Sequence, residues 1–227
     1  MHKLAALLAA ASLTLSACSG TAMAAEEAVK APAAARTAAE GKGLKTAIFA
    51  GGCFWGVEAV FSHVKGVTGV VSGYHGGDRR SATYDLVSSG VTDHAEAVKV
   101  TYDPAVIRYD QLLRIYFSVV ADPTLKNRQG PDVGAQYRSA LVPTNAEQSA
   151  VAKAYIAQLS KAGLWPRPIV TRIEPMKAFY PAEAYHQDFM LNNPRHGYIV
   201  RWDAPKVAAL KAMYPGVWRA AFLKDAG

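Results

Sequence analysis

Residues 45–66 run Lys45-Thr46-Ala47-Ile48-Phe49-Ala50-Gly51-Gly52-Cys53-Phe54-Trp55-Gly56-Val57-Glu58-Ala59-Val60-Phe61-Ser62-His63-Val64-Lys65-Gly66. Two hydrophobic patterns meet in this stretch. Residues 45–50 are a short apolar run of strand type, ended by Gly51-Gly52. From Phe54 onward, Val57, Val60, Phe61 and Val64 recur at helical spacing, and Gly66 stops them. The spacing predicts a strand, a glycine turn and a helix, with Cys53 at or next to the first helical position. Outward from this junction, 67–74 reads as a second strand, and glycines 73, 76 and 77 make a loop. A third strand covers 96–102. A helix over 109–120 precedes an irregular segment, 122–137. Residues 138–142 form a strand, and Thr144-x-x-Glu147 is a capping box opening a helix to about residue 162. A strand over 168–174 and helices over 182–191 and 205–213 complete the domain. Strands and helices mix without a strict βαβ repeat, which predicts an α+β domain, a sheet with helices packed on it.

The chain has 227 residues and is 51% hydrophobic, enough for one sizeable core and too apolar for general disorder. Its formal net charge is +7, but the basic residues are scattered, with no run longer than Arg79-Arg80. A nucleic-acid site needs a basic stripe, so no nucleic-acid partner is expected.

Residues 1–18 read as a targeting segment. A short basic start precedes an apolar run over 4–17, too short to span a membrane as a helix. Leu15-Ser16-Ala17-Cys18 resembles a lipobox, in which Cys18 is lipidated. Ala22-Met23-Ala24 competes as an ordinary small-x-small cleavage site. Either way an exported, periplasmic or envelope protein is expected, with the membrane reached only through a lipid anchor. Residues 19–43 are Ala-rich and lack aromatics, which predicts a flexible tether. The folded domain is expected over 44–227.

Only two cysteines occur, and Cys18 is committed elsewhere, so Cys53 has no partner in the chain. A thiol at a helix N-terminus meets the positive end of the helix dipole and unpaired N–H groups, which predicts a lowered pKa and a nucleophile. The alternative is a buried, inert cysteine. Phe54 and Trp55 are either core or an apolar cage for a small alkyl group. Strand periodicity puts Glu96, Val98, Val100 and Tyr102 on one face. A carboxyl on that apolar face is desolvated and stays protonated near neutrality, fit to donate a proton; the alternative is a Glu96 at the strand end that reaches solvent. Glu58 is expected on the solvated side of its helix. In the glycine-punctuated loop, Asp132 and Tyr137 are available polar groups. Six histidines show no i, i+4 pair and one usable cysteine gives no CxxC, so no metal site is expected.

Gly52-Cys53-Phe54-Trp55-Gly56 resembles the signature of the A-type peptide methionine sulfoxide reductases. The likeness extends over about 44–214. It takes in Gly66-Val67, Ser72-Gly73-Tyr74, Gly76-Gly77, Thr83-Tyr84, His94-Ala95-Glu96-Ala97-Val98, Tyr102-Asp103-Pro104 and Asp122-Pro123. It continues through Arg128-Gln129-Gly130 with Asp132, Gln136-Tyr137-Arg138-Ser139, Phe179-Tyr180, Ala182-Glu183, His186-Gln187 and Asn193-Pro194. The resemblance implies a two-layer α/β sandwich with a mixed sheet. It implies Cys53 as nucleophile, Phe54 and Trp55 as the cage for the substrate methyl, and Glu96 as the acid at the sulfoxide oxygen. Tyr84 and Tyr137 would bond that oxygen, and Asp132 would order the site. His186 sits in a recurrent motif without a role assigned to it.

The implied reaction reduces the S-epimer of methionine sulfoxide, free or in proteins, leaving a sulfenic acid on Cys53. Many relatives resolve it with C-terminal cysteines; from Arg195 onward this sequence has none. A monomeric one-cysteine enzyme is expected, with no bound cofactor, reduced by an external thioredoxin-like thiol. Two other classes stay open from the residues alone: a Cys-His hydrolase or acyltransferase, and a non-catalytic lipoprotein that binds thioethers.

Overall fold

A computed structural model describes residues 27–224. Cys18 and both competing processing sites lie outside the described residues. Strand β1 (Lys45–Gly51) runs into helix α1 (Phe54–Ser62), followed by β2 (Val67–His75), α2 (Tyr84–Ser88), β3 (Ala95–Tyr102) and α3 (Tyr109–Ile115). Next come two short strands, β4 (Arg128–Gln129) and β5 (Asp132–Val133), then β6 (Ser139–Val142), α4 (Ala146–Ala162), β7 (Arg172–Ile173), β8 (Phe179–Pro181), α5 (Phe189–Asn192) and α6 (Ala204–Met213). The main sheet has the order β7-β6-β1-β3-β2-β8 and is antiparallel except at β6–β7. It is the mixed sheet with packed helices that the sequence predicts.

Alternation along the strands divides the two faces. Phe49, Val98, Val100 and Tyr102 point into the large core under the helices, while Ile48, Ala50, Ala95 and Ala97 form a smaller cluster on the other face. Val57, Val60, Phe61 and Val64 are all fully buried, so the helical spacing was a packing stripe. Phe61 stacks on Phe49 with centroids 4.8 Å apart. Burying a side chain of this size contributes about 1.5–3 kcal/mol.

Several expectations change. The stretch 19–43 is not a free tether where it is described. Residues 27–43 carry no helix or strand, yet Ala31 is fully buried. Val29 N–H donates to Ser118 O (3.0 Å) and Ala38 N–H to Asp110 Oδ1 (2.9 Å). The Glu40 carboxylate accepts from Tyr109 N–H (2.8 Å), an unpaired donor of the first turn of α3, and from the Tyr102 hydroxyl. Small side chains let this strap lie flat on the helices, so low complexity here reflects close packing rather than freedom.

The capping box is shifted by one residue. Asn145 is the N-cap and accepts from Gln148 N–H at 2.9 Å, while Gln148 Oε1 accepts from Thr144 N–H at 2.8 Å. Glu147 instead accepts from Ala39 N–H and pairs with Arg36. Glu58 is fully buried, not solvated, because α6 and the residues before it cover that side of α1. The strand expected over 168–174 shrinks to β7, and the helix over 182–191 is a 3-10 turn (Ala184–His186) followed by α5. The helix over 109–120 is α3 closed by a π-helical turn, Tyr116–Val120. Neither the short helix α2 nor the β4–β5 ribbon was signalled by periodicity, since each is too short to show one.

Candidate active site

Cys53 is the N-cap of α1, at the junction the sequence indicates. Gly52 has φ +89°, in the left-handed region, and a Cβ there would meet Gln129 Cβ at 2.6 Å. Gln129 in turn closes the loop, accepting from Asp122 N–H and donating to Asp122 O, both at 2.9 Å. Gly56 is needed for a different reason: a Cβ would collide with Asp203 Oδ1. The motif's glycines thus make room for neighbours that come from distant parts of the chain.

Glu96 opens β3 beside the start of α1 and is 2% exposed. Its Oε2 accepts from Phe54 N–H at 3.0 Å, one of the orphan donors of the helix N-terminus. Burial, opposed by that bond and aided by Asp132 and Asp203, pushes its carboxyl up to about 8. At neutral pH it is a protonated acid, as strand alternation implied.

Cys53 departs from expectation. Its thiol is pushed up, well above the ordinary range, first by burial and then by Glu96, Asp203 and Asp132. Only a hydrogen bond from the Trp55 backbone opposes them. Helix α1 does present its N-terminus, but one donor is spent on Glu96, and burial, with the neighbouring carboxyl groups, outweighs the dipole. The resting pair is therefore a thiol beside a carboxylic acid. The charged groups that act on Cys53 are carboxylates, which disfavours an ion pair of the Cys-His hydrolase kind.

Two tyrosines complete this side. Tyr84 starts α2, and its backbone N–H donates to Glu183 Oε1 (2.9 Å), while Tyr74 OH donates to Glu183 Oε2 (2.8 Å). Tyr137 ends a 3-10 turn. Its neighbour Arg138 holds that turn in place, donating to both Glu174 oxygens (2.7 and 3.1 Å), to Ala135 O (3.0 Å) and to Asp93 O (3.1 Å). Burial raises both phenols, with Glu96 next and Cys53 also contributing, so both remain hydrogen-bond donors. The structure thus gathers Cys53, Glu96, Tyr84, Tyr137 and Asp132 in one place.

Phe54 is fully buried; Trp55 is half-buried. Trp55 is enclosed by a segment to which the sequence assigned no role. Its indole stacks on Phe189 (centroids 3.6 Å, 6°) and meets His196 and Tyr198 edge-on, each at 5.9 Å. The Tyr198 hydroxyl donates to Asp132 Oδ2. A shallow cleft lies against Cys53, lined also by Gly130, Asp132, Tyr198, Trp202 and Lys206. Phe189, Tyr198, Trp202 and Asp203 were missed because they are scattered through irregular or π-helical chain. The one local signal was Asp203, two residues before Pro205, where a helix start was expected. Among the described residues, no group of three or more His, Cys, Asp or Glu is placed to hold a metal ion.

Comparison with known proteins gives one answer. The family model described as peptide methionine sulfoxide reductase matches residues 45–215. A relative from Mesorhizobium japonicum, peptide methionine sulfoxide reductase MsrA 2, is 57% identical over 176 residues, covering 78% of this chain and 90% of that protein. The Deinococcus radiodurans protein MsrA is 51% identical over 174 residues, 77% and 84% of the two chains. Among solved structures, reduced Mxr1 from Saccharomyces cerevisiae aligns with TM-score 0.59 at 36% identity, over 67% of this chain and 87% of that one. Methionine sulfoxide reductase A of Corynebacterium diphtheriae aligns with TM-score 0.58 at 33% identity, over 68% and 77%. The chain belongs to the A-type peptide methionine sulfoxide reductase family, and it is an enzyme that reduces methionine S-sulfoxide to methionine.

Proposed function

We propose that Cys53 carries out this reduction through a sulfenic acid, and that the enzyme repairs oxidised proteins of the cell envelope as a monomer. The reading rests on one observation: a buried Glu96, its carboxyl pushed up to about 8 by burial, held by the first N–H of the helix that Cys53 caps. The sulfoxide methyl enters the cage of Phe54 and Trp55, which brings the sulfur to Cys53. The sulfoxide oxygen faces Glu96, Tyr84 and Tyr137. Hydrogen bonds there polarise the S–O bond and make its sulfur electrophilic. As the Cys53 sulfur attacks, Glu96 gives its proton to the oxygen and takes up the thiol proton. The S–O bond of the substrate breaks and an S–O bond to Cys53 forms. Methionine leaves as the thioether, and Cys53–SOH has lost two electrons. Asp132 acts at one remove, by holding Tyr198 against the indole.

No second cysteine follows Cys53 in this sequence. One external thiol condenses with the sulfenic acid, releasing water and forming a mixed disulfide. A second thiol frees Cys53. The donor is a thioredoxin-like protein, and no bound cofactor takes part. The export reading rests on the apolar run over 4–17 and on the lipobox at Cys18. Single turnover with each epimer, followed by dimedone trapping and mass spectrometry, tests the chemistry. An adduct on Cys53 after the S-epimer only is expected; an intramolecular disulfide instead would overturn the one-cysteine route. Palmitate labelling lost in Cys18→Ala is expected if the anchor is real.

A further inference from the structure

We infer that His186 is a positioning residue that fixes the Trp55 wall of the methyl cage by accepting a hydrogen bond from its indole. The Trp55 Nε1–H donates to His186 Nδ1 at 3.0 Å. Nδ1 therefore carries no proton, and the imidazole is neutral with its hydrogen on Nε2. The ring is 1% exposed and lies against both cage aromatics and one oxygen-side tyrosine. Its centroid lies 5.0 Å from Phe54, 5.8 Å from Trp55 and 4.4 Å from Tyr84. Tyr185 closes the outer side at 4.1 Å. His186 ends the 3-10 turn that Glu183 starts, and Glu183 anchors Tyr84. One turn thus sets both the cage and an oxygen-side tyrosine.

A purely structural role does not explain the residue. Nε2 is buried and, among the described residues, has no hydrogen-bond partner. Leaving that donor unpaired costs stability, so packing alone favours an apolar ring here. What the imidazole supplies, and phenylalanine cannot, is the acceptor for Trp55. Face stacking on Phe189 permits the indole to slide in its own plane; the bond at Nε1 removes that freedom. A loosely held indole binds a methyl group less well in the ground state and leaves the reacting atoms in place. The substitution therefore acts on KM more than on kcat.

This inference rests on Trp55 forming the cage, and the assay separates the two ideas. In His186→Phe, KM for methionine S-sulfoxide rises about tenfold, equal to about 1.4 kcal/mol, and kcat stays within about threefold. His186→Gln keeps an acceptor and stays within about threefold of the wild type in KM. In ¹⁵N–¹H spectra the Trp55 indole N–H signal moves upfield in the Phe variant and not in the Gln variant. An unchanged KM in a folded His186→Phe overturns the inference, as do equal effects of Phe and Gln. In the unmutated protein the same bond predicts slow hydrogen exchange at the Trp55 indole, and fast exchange there rules it out whether or not a variant folds. Failure of the functional reading looks different: the wild type itself would turn over no sulfoxide.

Discussion

The two sides of the active site are built in opposite ways. Cys53 sits at the turn of a strand-turn-helix unit and Glu96 at the start of a strand, where regular hydrogen bonding fixes the backbone. The cage around Trp55 is closed by 183–203, a run of 3-10, α and π turns with little repeating backbone. The first side puts charge and protons in place; the second encloses an apolar group by packing rings. Chemistry that depends on the pKa of one carboxyl uses rigid elements. Recognition of a methyl group uses many weak contacts, each replaceable in part.

The largest expected effects come from the rigid side. Cys53→Ser abolishes turnover, by at least about 10³-fold, without loss of fold, measured by sulfoxide reduction with dithiothreitol. Residual activity near wild type would mean that another group attacks. Glu96→Gln lowers kcat by about 10²–10⁴-fold. In the wild type kcat falls as pH rises through about 8, where Glu96 loses its proton, and Glu96→Gln loses that limb. The same group affects stability with a definite sign. Its folded pKa is raised, so the native state binds the extra proton between about pH 4.5 and 8. Stability attributable to it declines as pH rises through that window. Glu96→Gln should raise Tm at pH 9 by a few degrees and leave it nearly unchanged at pH 4.5, at roughly 2–4 °C per kcal/mol.

Asp203→Asn tests where the two sides meet. Asp203 belongs to the irregular segment, yet its carboxylate holds the Cys53 thiol up. Its loss should lower the thiol pKa and so raise the thiolate fraction at fixed pH. The pH dependence of iodoacetamide alkylation reads this directly; an unmoved profile separates the two sides entirely. The smallest effect lies far from the chemistry. Glu40→Ala removes acceptors for Tyr109 N–H and the Tyr102 hydroxyl and should cost about 1–2 kcal/mol, with kinetics unchanged. No change in Tm would mean that the strap over 27–43 contributes nothing to the fold.

Legibility in the sequence followed the same division. Strand alternation placed Glu96 on the core face, and helical spacing placed Cys53 at the start of α1; both come from local geometry repeated over several residues. Phe189, Tyr198 and Asp203 had no repeat to reveal them, because their positions depend on where the chain crosses the mouth of α1. Glu58 misled for a related reason: helical spacing shows which face is apolar, but not that a second layer covers the other one. The strap over 27–43 misled through composition, since alanine serves a loose linker and a close-packed one equally well.

Local order determined by itself the α+β class, the thiol at a helix start and the acid on the core face of its strand. These follow from periodicity and glycine conformation, which need no knowledge of distant contacts. The tertiary structure alone decided the protonation of that thiol. A helix dipole is set by the segment that makes it, whereas burial and the carboxyl groups brought in from β3, β5 and the residue before α6 act only once the chain has folded. It also decided that His186 faces the indole, because a partner 131 residues away is a matter of packing, not of pattern.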